Sequence, residues 1–142
     1  IRRSIKKSKS KKRINRKYIK RKNINYRGKL NNNIQKCLSN YDVFIHPSKS
    51  ENFGLVIYEA LSSGLYLILN KRLKKTFLEK KKFAKNIDFN SLEFKKAIQY
   101  ILQNKKKIKS IFYKRKSFNF VKNNYNWKRI SEIYLKNYIE LI

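Results

Sequence analysis

The sequence predicts an α/β fold, a parallel sheet flanked by helices and finished by a helical C-terminal part. Two short runs, Val43-Phe44-Ile45 and Leu65-Tyr66-Leu67-Ile68-Leu69, are apolar without alternation. Such runs suit strands covered on both faces, as in parallel sheets. Between them Leu55–Ser63 reads as a helix, with Gly64 placed as its stop. Strand, helix and strand within about 30 residues make a right-handed βαβ unit. After this unit the apolar spacing is helical.

Taken in order, Ile1 to Lys22 carries only scattered apolar residues, Ile5, Ile14, Tyr18 and Ile19, and reads as a basic arm, a frayed helix or disordered. The domain proper is expected over residues 23–142. Ile24-Asn25-Tyr26 alternates like a short strand ended by Gly28. Asn33 to Asn40 reads as a short helix with Ile34, Cys37 and Leu38 on one side. Val43-Phe44-Ile45 follows as a buried strand, then the Leu55 helix and the Leu65–Leu69 strand. Asn90 and Glu93 resemble a capping pair that opens a helix through Gln103, with Phe94, Ile98, Ile101 and Leu102 as its apolar stripe. A second helix is expected over about Ile108 to Lys122, with Ile111, Phe112, Arg115 and Phe118 at helical spacing. A last one runs from Trp127 to Ile139, with Ile130, Ile133, Tyr134 and Tyr138 turned inward.

The chain of 142 residues suffices for one domain with a core. Its 38 Lys and Arg against 8 Asp and Glu leave a net charge of +30, which favours polyanions and opposes compaction. The joint excess of Lys, Asn and Ile with scarce Gly, Ala and Pro equally suits an A+T-rich coding sequence, so the charge alone assigns nothing. Cys37 is the single cysteine, which rules out an internal disulfide framework and suits a reducing compartment. With one histidine as well, a transition-metal site is not expected. No run of 18 apolar residues is present to span a bilayer. The start at Ile rather than Met suggests a piece of a longer product.

Charge also locates the chemistry. Residues 1–40 hold sixteen Lys or Arg and no acid, whereas Cys37 to Asn70 has one base, Lys49, against Asp42, Glu51 and Glu59. Inside this acidic window Pro47 and Ser48 end the first strand and carry the chain across its carboxyl end, where ligands bind in open α/β sheets. Gly54 permits close approach of backbone to a ligand, and the helix beyond it offers free N–H groups and a dipole to an anion such as pyrophosphate. Glu51 lies in the loop before the helix. Glu59 lies about 7 Å along its axis. Carboxylates accept from vicinal sugar hydroxyls, so the segment can hold a diphosphate with an acid on each side, as a nucleotide sugar requires. The same residues also read as a surface loop whose Glu51 complements the helix dipole while Glu59 is merely solvated.

The run Asp42-Val43-Phe44-Ile45-His46-Pro47-Ser48, with Glu51-Asn52-Phe53-Gly54-Leu55, Glu59-Ala60 and Gly64, resembles glycosyltransferase family 4, whose fold is GT-B. Weaker agreement reaches Ile24 to Gly28 and Tyr125-Asn126-Trp127, so that residues 23–142 are covered. The resemblance implies a Rossmann-like parallel sheet, the C-terminal, donor-binding half of that fold. It implies that Glu51 is the catalytic acid beside the transferred sugar, a nucleophile or a stabiliser of an oxocarbenium-like transition state. Phe53, Gly54 and Leu55 would meet the donor sugar and diphosphate, and Glu59 the ribose hydroxyls. Transfer would retain anomeric configuration without a metal or other cofactor, with charge on the departing diphosphate met by a helix N-terminus and basic side chains.

Where the family has Pro and then a Gly-rich loop after the matched Gly, this chain has Leu65 and Asn70-Lys71-Arg72. The family's diphosphate-gripping Arg and Lys would precede Ile1, as would the acceptor domain. His46 would support the loop or touch ligand, and Trp127, Tyr134 and Tyr138 would pack the last helix. The partners implied are a nucleotide-sugar donor and a glycan or lipid-linked acceptor, in the cytoplasm or peripherally at an anionic membrane surface. The rival readings are a basic protein that binds nucleic acid or membranes, and an inactive remnant of such a transferase.

Overall fold

The computed structural model describes residue 25 and residues 34–140. The chain divides into two units, Ile1–Asn31 and Asn32–Ile142. Within the first only Asn25 is described, exposed and in no regular element. The expected arm, its boundary at residues 22 and 23, and the rest of the Ile24 strand lie outside the described residues.

The second unit is built on three parallel strands in the order β1 (Val43–His46), β2 (Tyr66–Asn70), β3 (Ala84–Ile87). Helix α1 (Ile34–Leu38) precedes β1, and α2 (Leu55–Ser62) links β1 to β2. A 3-10 turn (Lys71–Leu73) and α3 (Thr76–Lys80) link β2 to β3. Helices α4 (Ser91–Gln103), α5 (Lys105–Ile108), α6 (Ile111–Asn124) and α7 (Trp127–Ile139) complete it. This is the expected α/β, Rossmann-like layer with a helical C-terminal part.

Burial explains the order. All five residues of β2 are buried, so the continuous apolar run is the central strand and α2 packs against it. Helix α2 turns Ile57, Ala60 and Leu61 into this core, which Leu65, Leu78, Phe83 and Ile87 extend. An aromatic group closes it. Tyr66 lies near Tyr100 and Tyr113, and Phe83 meets Tyr113 edge-on at 6.0 Å and Phe120 at 5.2 Å. The Tyr66 hydroxyl donates to the Ala84 carbonyl at 3.1 Å. Burial raises the pKa of both Tyr66 and Tyr113, helped by neighbouring tyrosines, so both remain neutral hydrogen-bond donors.

Two turns of one design feed β2 and β3. After α2, the Gly64 N–H bonds the Leu61 carbonyl and the Leu65 N–H bonds that of Ala60; after α3, Lys82 and Phe83 do the same to Glu79 and Leu78. These are paired Schellman closures, which need a left-handed residue. Gly64 adopts φ +84°, and Lys82 adopts φ +65° with a side chain attached.

Several expectations change. The Val43-Phe44-Ile45 strand is half-buried, with Ile45 exposed, because among the described residues β1 has only β2 as a neighbour. Strand β3 and helix α3 were not foreseen, since Ala84-Lys85-Asn86-Ile87 has two polar residues that are fixed by α3 rather than by an apolar pattern. The α4 stripe is Phe94, Ala97, Ile98 and Ile101, and Leu102 is exposed. On α6 the inward residues are Tyr113, Ser117, Phe120 and Val121, so the Ile111, Phe112, Phe118 stripe faces out. On α7 Tyr134 and Tyr138 are exposed and Ile130 half-buried; the side chains of Trp127 and Ile133 lie outside those described.

Candidate active site

The site grows from the carboxyl end of β1. Pro47 has no N–H and so ends the ladder there. Asn70, buried at the corresponding end of β2, donates through Nδ2 to the Pro47 carbonyl at 3.2 Å. Its Oδ1 accepts the Arg72 N–H at 3.0 Å and so opens the 3-10 turn. One buried amide therefore ties together two strand ends and brings Lys71 and Arg72 to the same edge.

Beyond Pro47 the loop returns on itself. Ser48 Oγ donates to the Ser50 carbonyl at 2.8 Å. His46 Nε2 donates to Glu51 Oε1 at 2.8 Å, and the ring stacks on Phe44 at a centroid distance of 5.7 Å. A carboxylate only accepts, so this bond sets the tautomer with the proton on Nε2.

Gly54 opens α2 at φ 65°, ψ 42°, in the left-handed region, and no side chain caps the helix. Its carbonyl takes the Ile57 N–H at 2.9 Å, leaving the preceding amides of the first turn to solvent or ligand. A Cβ at Gly54 would lie 3.1 Å from Ile57 Cδ1 and 3.7 Å from Glu51 Cβ. Phe53 and Leu55, on either side, are exposed. They line a cleft of about 510 Å3 together with Tyr58, Lys75, Tyr125 and Tyr134. In it Tyr58 and Tyr125 stack at 4.1 Å, and Lys75 Nζ donates to the Tyr58 hydroxyl at 3.2 Å. Burial, then the bond with Tyr58, raises the Tyr125 pKa.

Glu59 is half-buried on α2, one turn beyond Leu55 and on the same outward stripe. Its backbone carbonyl receives Ser62 Oγ, Ser63 Oγ and the Ser63 N–H. Its carboxylate joins no ion pair among the described residues. The structure thus joins Glu51 to His46 and the Gly54 turn, while Glu59 stands apart along the helix. Among the described residues no group of three His, Cys, Asp or Glu is placed to hold a metal ion.

Sequence reasoning weighed His46 without finding its partner, because the contact depends on the loop's return. It missed Asn70 as a positioning residue. The signal was available: Asn before a short turn is a preferred cap.

A parallel sheet whose carboxyl edge carries a glycine turn, an uncapped helix start and the His46–Glu51 pair has the layout in which open α/β sheets bind ligands. The chain belongs to the group 1 glycosyl transferases: the family model described as "Glycosyl transferases group 1" matches residues 4–127. It is therefore a transferase domain that works with a sugar donor and an acceptor. Neither a curated protein nor a solved structure matches the chain. No described helix is long and apolar enough to cross a membrane.

Proposed function

We propose that this chain is the donor-binding part of a retaining, sugar-nucleotide-dependent transferase of glycosyltransferase family 4, the C-terminal half of a GT-B fold. The observation that carries this reading is the left-handed Gly54 turn opening the uncapped helix α2, with Glu51 before it and Glu59 one turn inside it. Exposed N–H groups and the helix dipole favour a diphosphate at that point and offset the charge that develops on it as the glycosyl bond breaks. Glu51 stands beside the transferred sugar and stabilises positive charge at the anomeric carbon. Phe53 and Leu55 bound the sugar pocket, and Glu59 accepts the ribose hydroxyls. No metal is needed, because the helix start and nearby cations supply the charge. The acceptor is a glycan or a lipid-linked acceptor. The unpaired, half-buried Cys37 supports a reducing, cytoplasmic setting.

The test is calorimetric titration of the folded chain with nucleoside diphosphates and their sugars. Glu59→Ala removes charged hydrogen bonds of about 1.5–3 kcal/mol, so nucleoside diphosphate should bind more than about tenfold more weakly, with inorganic pyrophosphate little changed. Equal losses for both anions, or no binding by the unmodified chain, would sink the assignment.

A further inference from the structure

The aromatic cleft beside the start of α2 has no ligand assigned to it so far. Phe53, Leu55 and Tyr134 line it and are 72%, 60% and 58% exposed. The stacked Tyr58 and Tyr125 also line it and are half-buried. Glu51, Gly54 and Glu59 are not among the described residues that line it. The cleft is therefore separate from the ground where a diphosphate and its ribose would be held, although Phe53 and Leu55 border both. At about 510 Å3 it falls within the size range of small-molecule sites, and its lining of aromatic rings with a few polar groups has their character.

The polar groups decide what fits. Asn52 and Asn124 bring amides that both donate and accept. Lys75 is half-buried, its Nζ lies 5.3 Å from the Tyr58 ring centroid, and it donates to the Tyr58 hydroxyl at 3.2 Å. An ammonium has three donors, and this bond uses one. Lys75 joins no ion pair among the described residues, and no Asp or Glu is among those that line the cleft. A lysine positioned by a tyrosine and left without an acid differs from the chain's many solvated ones. Carboxylates that would accept from the vicinal hydroxyls of a neutral sugar are missing here. The cleft instead offers a fixed cation between aromatic faces, which calls for a ring that carries an acid.

We propose that this cleft is the acceptor subsite and takes an acidic pyranose, with its carboxylate or phosphate on Lys75 and its ring against Tyr134 and Phe53. The assignment rests on the donor reading above, because Phe53 and Leu55 are the wall that would bring the second sugar to the first.

The experiment is titration of the full chain, followed by the NMR shifts of its aromatic side chains, at about 0.15 M salt to screen loose ion pairing. The probes are methyl glucuronide and glucose 6-phosphate, with methyl glucoside as the neutral control and inorganic phosphate as the anion control. Both acidic sugars should bind at least about tenfold more tightly than either control, since a charged hydrogen bond and a stacked ring act together. A preference for only one of the two tells whether the acid is a carboxylate or a phosphate, and either supports the proposal. Lys75→Gln should bring the acidic sugars down to the level of methyl glucoside. Tyr134→Ala, at an exposed position, should weaken them about threefold or more. The comparison of probes on the unmodified chain needs no variant, so it decides the matter even where Lys75→Gln fails to fold. Equal binding of acidic and neutral sugars overturns the proposal, as does inorganic phosphate that binds as tightly as glucose 6-phosphate. Displacement of the acidic sugar by a nucleoside diphosphate also overturns it, because both would then occupy the start of α2. Acidic-sugar binding by a chain that binds no nucleoside diphosphate would remove the donor reading and leave the cleft a sugar site, so the two failures read separately.

Discussion

Glu79 links α3 to β3 through three contacts. Its Oε1 receives Lys85 Nζ at 2.9 Å, and its Oε2 receives Asn86 Nδ2 at 3.1 Å and the Asn86 N–H at 3.4 Å. Burial by itself raises the carboxyl pKa, but the bonds from Lys85 and Asn86 with the Lys85 charge outweigh it, and the net shift is downward. A lowered folded value means that the native state favours ionised Glu79 more than the unfolded chain does. The gain is fully present above the ordinary glutamate range and fades as pH falls through that range to the lowered folded value. The side chain is 34% exposed, so solvent screening keeps the gain to about 1 kcal/mol or less. Glu79→Gln should therefore be less stable at neutral pH by denaturant titration. The difference should vanish in acid, and a constant difference at both pH values would contradict it. None of this was legible beforehand, since Glu79 reads as one acid in a lysine-rich stretch until Lys85 and Asn86 are folded back onto it.

At the scale of elements the two Schellman turns make a controlled comparison. Gly64 and Lys82 occupy the same position in the same closure, each leading into a strand of the sheet. The left-handed conformation costs a residue with a Cβ roughly 1–2 kcal/mol. Lys82→Gly should thus stabilise the chain by about 1 kcal/mol. Gly64→Ala should destabilise it by at least that amount, because its Cβ would also come within 2.8 Å of Lys114 Cγ on α6. Thermal unfolding of the two variants in parallel gives the comparison, and a Lys82→Gly protein that melts lower would refute the strain argument. Gly64 was readable in advance because glycine after a helical run is a stop signal. Lys82 was not, and with it β3 was lost. Helix periodicity was easier to find than helix orientation. The spacing of Ile111, Phe112 and Phe118 is real, yet an apolar stripe does not say whether protein lies on that side. Sequence alone likewise located the Pro47–Gly64 segment, since Gly, Pro and acids are punctuation that needs no tertiary context. The His46–Glu51 and Asn70–Pro47 contacts join residues 5 and 23 positions apart and had to be seen.

For the whole molecule the governing quantity is charge. With 38 cations and 8 anions, repulsion opposes the compact state at every pH where lysine is protonated. The described ion pairs are mostly exposed and offset little of it. Added salt shortens the screening length from about 30 Å at 0.01 M to about 8 Å near physiological strength, so the melting temperature should rise as sodium chloride is added over that range. A flat or falling melting temperature would show that repulsion is not what limits stability. The fully buried β2 remains the anchor throughout.

The bond between His46 and Glu51 sets terms for whatever approaches Glu51. One carboxylate oxygen is already engaged, and the imidazole that engages it is wedged against Phe44. A newcomer with a single hydroxyl finds a pre-aimed oxygen and little further ordering to do. A newcomer that claims both oxygens must share Oε1 with the imidazole N–H through the second lone pair, so the ring limits the direction of its approach.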